Sequence, residues 1–203
     1  MLLRSRARNL VLASWETDAD SVARALPGRL EPATVDGRHL VTIAALRWAG
    51  GRLGILPVPR FSQINVRLYA RHGVETAVVF VGIRVTTLGM GGALLGMPVR
   101  LSRARVRDGT VDARGLGISL RYERRGPAEP SELGSHELGL YEAAGLRSFR
   151  IRRGEAAWER ADAIAPVRAD PLLALGFAVE GSPELRYVAS TTFEAELPPR
   201  RLA

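Results

Sequence analysis

The sequence has 203 residues, 46% hydrophobic and 25% charged, ordinary globular values that exclude disordered and fibrous classes. All 29 residues counted as lysine plus arginine are arginine, and cysteine is absent. Side-chain Schiff bases, a phosphate-binding-loop lysine, disulfides and thiolate chemistry are therefore excluded.

The length suits a single domain over residues 1–203. The net charge of +8 invites a nucleic-acid reading, but the arginines are scattered among 21 acidic residues. Nucleic-acid footprints instead cluster basic residues with aromatic or small polar interleaving, so this balance argues against such a partner. The apolar run Leu10–Ser14 is too short for a signal peptide ahead of Glu16. The longest uncharged stretch, Val85–Val99, contains glycines and Pro98 and does not span a bilayer. The expectation is a cytoplasmic protein without a membrane partner.

Short segments rich in Val, Ile, Leu and Thr, separated by Gly, Pro and Asp-Gly signals, predict a mainly β protein with a few short helices. Leu10–Trp15 reads as the first strand. Thr17-Asp18-Ala19-Asp20 resembles a capping box and opens a helix of about two turns, stopped by Pro27-Gly28. Asp36-Gly37 predicts a type I′ turn between Leu30–Val35 and His39–Trp48. Ala49-Gly50-Gly51, Pro57 and Pro59 mark a loop. Gln63–Arg71 and Glu75–Val85 form a second hairpin across His72-Gly73.

Further along, Thr86–Gly96 reads as a short helix weakened by its glycines. Pro98–Arg107 and Gly115–Arg124 follow as strands joined through Asp108-Gly109, with Arg103, Arg105 and Arg107 on a wet face. Arg147–Arg152 pairs with Ala156–Arg160 across Arg153-Gly154, and the arginine-rich stretches Arg121–Arg125 and Arg147–Arg153 look like strand ends and hairpin tips. Asp170 caps a short helix with Pro171 at its first position. Leu185–Leu197 is the last strand. Long strands returning across hairpins suggest an antiparallel barrel, closed or nearly closed, able to hold one small ligand.

Motif chemistry is sparse. His39, His72 and His136 have no partners at metal-ligand spacing, and the glycine run Gly89–Gly96 lacks the third glycine and the long helix of a dinucleotide site. No cofactor or metal is expected. The better signal is alternation in one strand: Ile64, Val66, Leu68 and Ala70 face one way, while Asn65, Arg67 and Tyr69 face the other. That polar face is either exposed to solvent, which is the simpler reading, or lines a barrel in which an arginine fork binds a carboxylate.

Three stretches resemble the acetoacetate decarboxylase-like superfamily and, within it, a branch of uncharacterised bacterial proteins. They are Trp15–Asp18 with Leu26–Glu31 and the Asp36-Gly37 turn, Gln63-Ile64-Asn65-Val66-Arg67-Leu68-Tyr69, and Leu95-Gly96-Met97-Pro98-Val99-Arg100. The resemblance implies a cone-like β-barrel with an internal cavity. In the decarboxylases the proline of the third stretch is followed by two lysines, the first forming the imine; Val99 and Arg100 stand there instead. Their active-site glutamate matches Gln63, which cannot act as a base near neutral pH. The resemblance thus implies the fold without Schiff-base decarboxylation, and homo-oligomeric assembly only by analogy.

The expected function is recognition of a small carboxylic or keto acid by Gln63, Asn65, Arg67, Tyr69, Arg84 and Arg100. Whether a reaction follows is left open; Tyr69 could serve as an acid. The alternative is a non-catalytic protein that binds an acidic partner or nucleic acid through its basic outer face.

Overall fold

The computed structural model describes residues 1–28, 30–86, 89, 93 and 97–202. Alternating apolar positions and β-branched residues drive most of the chain into strands. In order these are β1 (Leu2–Glu16), β2 (Glu31–Pro32), β3 (Leu40–Leu53), β4 (Leu56–Val58), β5 (Phe61–His72), β6 (Glu75–Val85), β7 (Val99–Leu101) and β8 (Arg105–Arg107). There follow β9 (Thr110–Ala113), β10 (Ile118–Pro127), β11 (Leu138–Glu142), β12 (Leu146–Arg153), β13 (Glu159–Ala163), β14 (Arg168–Ala169), β15 (Glu184–Glu196) and β16 (Arg200–Arg201). Among the described residues there are also two short α-helices, α1 (Ala19–Ala25) and α2 (Asp170–Ala174), and a 3-10 turn at Arg114–Leu116. Among the described residues no helix is long and apolar enough to cross a membrane.

Seven strands close a barrel in the order β1–β3–β5–β6–β11–β12–β15, with β15 returning to β1. Its neighbours are antiparallel apart from the parallel pair β6–β11. Strand β15 forks along one edge: Phe193–Ala195 pair with β12, while Leu185–Tyr187 pair with β13. The fork starts a second wall, β13–β10–β9–β8, that turns away from the barrel.

The two layers explain the apolar face of β5. Ile64, Val66, Leu68 and Ala70 belong to a core shared with Val106, Val111, Leu120 and Tyr122 of the second wall, and with Val22 and Leu172 of the helices. The outer surface of the barrel is thus covered, so its apolar side chains face away from the lumen. A separate cluster, including Leu10, Leu12, Ala44, Tyr69, Phe80, Tyr141 and Phe149, lines the lumen.

Several local expectations change. The Asp36-Gly37 turn forms with both residues at positive φ and a single Val35–Arg38 bridge. The preceding segment, however, pairs through β2 with β5 rather than with β3. Ala49-Gly50-Gly51 is no loop: β3 runs through it to Leu53, with the register against β1 shifting nearby, because glycine lets the two backbones approach closely. Asp108-Gly109 joins β8 to β9, a strand in the segment that the sequence pattern leaves as the connection between Pro98–Arg107 and Gly115–Arg124.

Residues 147–153 do not pair with 156–160. Strand β12 pairs with β11, β15 and β16, and β13 with β10 and β15. The local hairpin loses because each strand gains a longer partner elsewhere. Helix α1 is capped by Asp18, which accepts from the Ser21 amide and hydroxyl, rather than by Thr17. At α2 the Asp170 carboxylate turns to Arg168, and the cap position falls to Ala169 without a side-chain bond. The helix expected over Thr86–Gly96 lies mostly outside the described residues.

Candidate functional site

The strand β5 decides what the lumen contains. Its pairing with β3 sets Gln63 opposite Leu46, Asn65 opposite Ala44 and Arg67 opposite Thr42, and Leu46 and Ala44 are lumen residues. The polar face of β5 therefore lines the barrel, and the simpler solvent-exposed reading is overturned. Its chemical cause is the second layer: with the outer face of β5 sealed by apolar packing, the alternation leaves polar side chains only the lumen.

A hydrogen-bond relay fixes the amides. The indole Nε1 of Trp48 donates to Gln63 Oε1 at 2.8 Å, and Gln63 Nε2 donates to Asn65 Oδ1 at 2.9 Å. Because an indole can only donate, the orientation of both amides follows from Trp48. Asn65 is 1% exposed, and its Nδ2, the end turned away from the relay, has no partner among the described residues. The Nε of Arg67 is likewise buried without a partner. Two N–H donors thus lie two residues apart on one strand face with nothing described to accept from them.

Arg67 lies over the Phe80 ring at 5.4 Å and forms no ion pair with any described carboxylate. Burial, with a smaller push from Arg153, pulls its pKa down to about 10, while Tyr69 acts the other way. It stays cationic at neutral pH. Phe80 stacks on Phe149 with centroids 5.7 Å apart, and the stack passes over Gly139. A Cβ there would meet Phe149 at 2.8 Å and Phe80 at 3.1 Å. Gly139→Ala should cost about 1–3 kcal/mol and, by displacing the Phe80 platform, weaken acid binding several-fold; chemical denaturation and titration calorimetry on one preparation check both.

Tyr69 is buried, with its hydroxyl 3.2 Å from Thr42 Oγ1, which itself lies 2.9 Å from Ser14 Oγ. Burial raises its pKa despite the Thr42 bond and the nearby arginines. It is a neutral hydrogen-bonding group rather than a ready acid.

Arg84 and Arg100 are not brought to this face. Arg84 sits opposite Ile64, an outer-face residue, and beside Arg100 across the β6–β7 pair. The two border an external groove of about 400 Å³ with Pro27, Glu142 and Leu175. Burial, then repulsion from Arg100, lowers the pKa of Arg84. Their inclusion in the lumen is corrected by the bulge at Val81, where Val66 pairs with Gly82 and Arg67 with Phe80, which shifts the alternation of β6. Val99, next to Arg100, packs on the lumen cluster instead.

Two lumen residues were missed by sequence reasoning. His136 comes from the loop between β10 and β11, with its ring 5.4 Å from Tyr69 and its Nε2 buried without a partner among the described residues. Burial lowers its pKa against the pull of Glu132, so the imidazole is neutral. Arg153 follows Phe149 and Ile151 on the inward parity of β12 and stacks on Trp158 at 5.1 Å. Burial lowers its pKa as well. An arginine in an Arg-rich strand end reads as surface, and only the parity with Phe149 and Ile151 could have flagged it. Among the described residues no three of His, Asp and Glu gather as a metal ion would require.

The model of a family of uncharacterized conserved proteins, DUF2071, matches residues 4–164. The chain belongs to the DUF2071 family. No curated protein matches it. Solved structures similar to this DUF2071 chain include acetoacetate decarboxylase from Legionella pneumophila, at 12% identity and TM-score 0.69, covering 100% of this chain and 88% of that one. An acetoacetate decarboxylase-like enzyme from Sphingomonas wittichii RW1 aligns at 13% identity and TM-score 0.67, covering 99% and 94%. The enduracididine biosynthesis enzyme MppR, complexed with pyruvate, aligns at 14% identity and TM-score 0.61, covering 97% and 90%. At these identities the likeness establishes the acetoacetate decarboxylase-like barrel and nothing finer.

Proposed function

We propose that this DUF2071 barrel binds a small carboxylic or keto acid in its lumen, through Arg67 and Asn65, without forming an imine. The observation that carries the reading is the pair of buried, unpartnered donors, Asn65 Nδ2 and Arg67 Nε, one of them on a cation with no described counter-ion. A site that offers donors and positive charge selects a ligand that only accepts, and a carboxylate fits the guanidinium fork. Gln63 positions Asn65 through the Trp48 relay. The fold neighbour complexed with pyruvate supports an acid of that size. Imine chemistry has no side-chain amine to start from, since every basic residue is arginine.

The test is a thermal-shift screen of pyruvate, other keto acids and aliphatic carboxylates at constant ionic strength, with one DNA oligonucleotide. An acid at a hundred times its Kd adds about 2.7 kcal/mol, on the order of 5–10 °C for a chain of this size. Borohydride added to the protein with pyruvate should leave the intact mass unchanged. A reduced adduct would refute the imine-free reading. Silence from every acid, with a salt-steep shift from DNA, would move the function to the outer face.

A further inference from the structure

The lumen holds two cations. Arg67 lies on β5 over Phe80, and Arg153 on β12 over Trp158, and Tyr69 and His136, in contact with each other, lie close enough to feel both charges. Neither arginine forms an ion pair or a hydrogen bond with any described residue. Apart from Gln63, Asn65, Thr42 and Ser14, which hydrogen-bond among themselves or to Trp48 and Tyr69, the described wall is largely apolar and includes Leu10, Leu12, Ala44 and Phe149. Two carboxylates that act on His136 are hydrogen-bonded to other groups: Asp36 accepts from the Ser131 hydroxyl and the Glu132 amide, and Glu132 accepts from the Asp36 amide. His136 is neutral and adds no charge. Arg153 is also wedged by contact with Gly134, where a Cβ would lie 2.8 Å from its Nη1 and 2.9 Å from Trp158.

Two cations on aromatic platforms, Arg67 buried and Arg153 half-buried, are not neutralised by one carboxylate. A single guanidinium fork saturates a carboxylate, and the second cation then stays unpaired with its partial desolvation uncompensated. We infer that the ligand carries two anionic groups, a short dicarboxylic acid with one carboxylate on Arg67 and the other on Arg153. The inference rests on the acid-binding reading above and specifies its substrate class. Between the two carboxylates the ligand's middle passes Tyr69 and the unpartnered His136 Nε2. A keto oxygen there would accept from His136 in its Nε2–H tautomer.

Titration calorimetry at constant ionic strength should compare malonate, succinate, glutarate and 2-oxoglutarate with propionate, butyrate, valerate and pyruvate. The wild-type protein should bind at least one diacid about thirtyfold or more tighter than the monoacid of equal length. Arg153→Met should erase that preference, whereas Arg67→Met removes binding of diacids and monoacids alike. Should Arg153→Met fail to fold, Arg153→Gln and the wild-type series carry the same comparison. Equal affinity for diacids and monoacids, or a preference that survives loss of Arg153, overturns the inference and leaves the acid-binding reading standing. No binding of either class overturns both.

Discussion

Arg67→Met is expected to raise the melting temperature of the ligand-free protein while abolishing its binding of small carboxylates. The two effects share one cause. Arg67 is a buried cation without a described counter-ion, held by the Phe80 ring, so methionine removes an uncompensated charge and keeps most of the packing volume. Replacing buried charge by matched apolar volume is neutral or stabilising by about 1–4 kcal/mol, which for this length moves the midpoint upward by roughly 2–4 °C per kcal/mol. Loss of the guanidinium from a desolvated carboxylate costs binding about 2–5 kcal/mol, a loss of affinity of at least about thirtyfold. Thermal melts and titration calorimetry on the same variant test both halves. A destabilised variant with undiminished acid affinity would make Arg67 a structural residue and remove the site.

The pH dependence follows from the same group. Its pKa in the folded chain is depressed to about 10, below the ordinary arginine value that it keeps when unfolded. The charged form is therefore disfavoured by folding, and that cost is fully present below about 10 and relieved as the pH rises from there toward the ordinary arginine value. Acid binding needs the cation, so affinity should hold through neutral pH and fall as the pH passes about 10.

Gly51→Ala should be the most damaging conservative change in the barrel wall. A Cβ at this position would press into the Arg4 carbonyl oxygen and lie 2.8 Å from Ser5 Cα, both backbone atoms of β1. Neither can retreat without opening the β1–β3 ladder, where Gly51 faces Ser5 and the Ser5 hydroxyl donates to the Gly50 carbonyl at 2.9 Å. Overpacking of this kind costs about 3 kcal/mol or more, or roughly 6–12 °C in the melting midpoint. Gly115→Ala is the matched control, because nothing lies within 4 Å of its Cβ and its φ is not positive. It should be neutral or slightly stabilising. Equal midpoints for the two variants would mean that β1 and β3 do not approach as closely as the structure has them.

Much of the barrel was legible because strand signals are local. The turns at Asp36-Gly37 and Gly73, the long strand ending near Leu197 and the two faces of β5 all follow from period-two alternation and positive-φ residues. The resemblance carried by the segment Gln63–Tyr69 led to the right barrel. What alternation could not say is which face points inward. Both faces of β5 are covered, one by the second wall and one by the lumen, and a sequence reading that equates apolar with inside has no means to separate them.

Composition by itself determined the chemistry that is missing: a chain whose 29 basic residues are all arginine has no side chain able to form an imine. Residue order determined which β5 side chains share a face. Tertiary structure alone decided that this face lines the lumen, that His136 from a loop and Arg153 from β12 join it from more than sixty residues away, and that Arg84 and Arg100 do not. The reason is physical: strand period is a property of neighbouring residues, whereas burial of a polar face depends on barrel closure, on one bulge at Val81 and on the forked pairing of β15, all of which are set by contacts far apart in the chain.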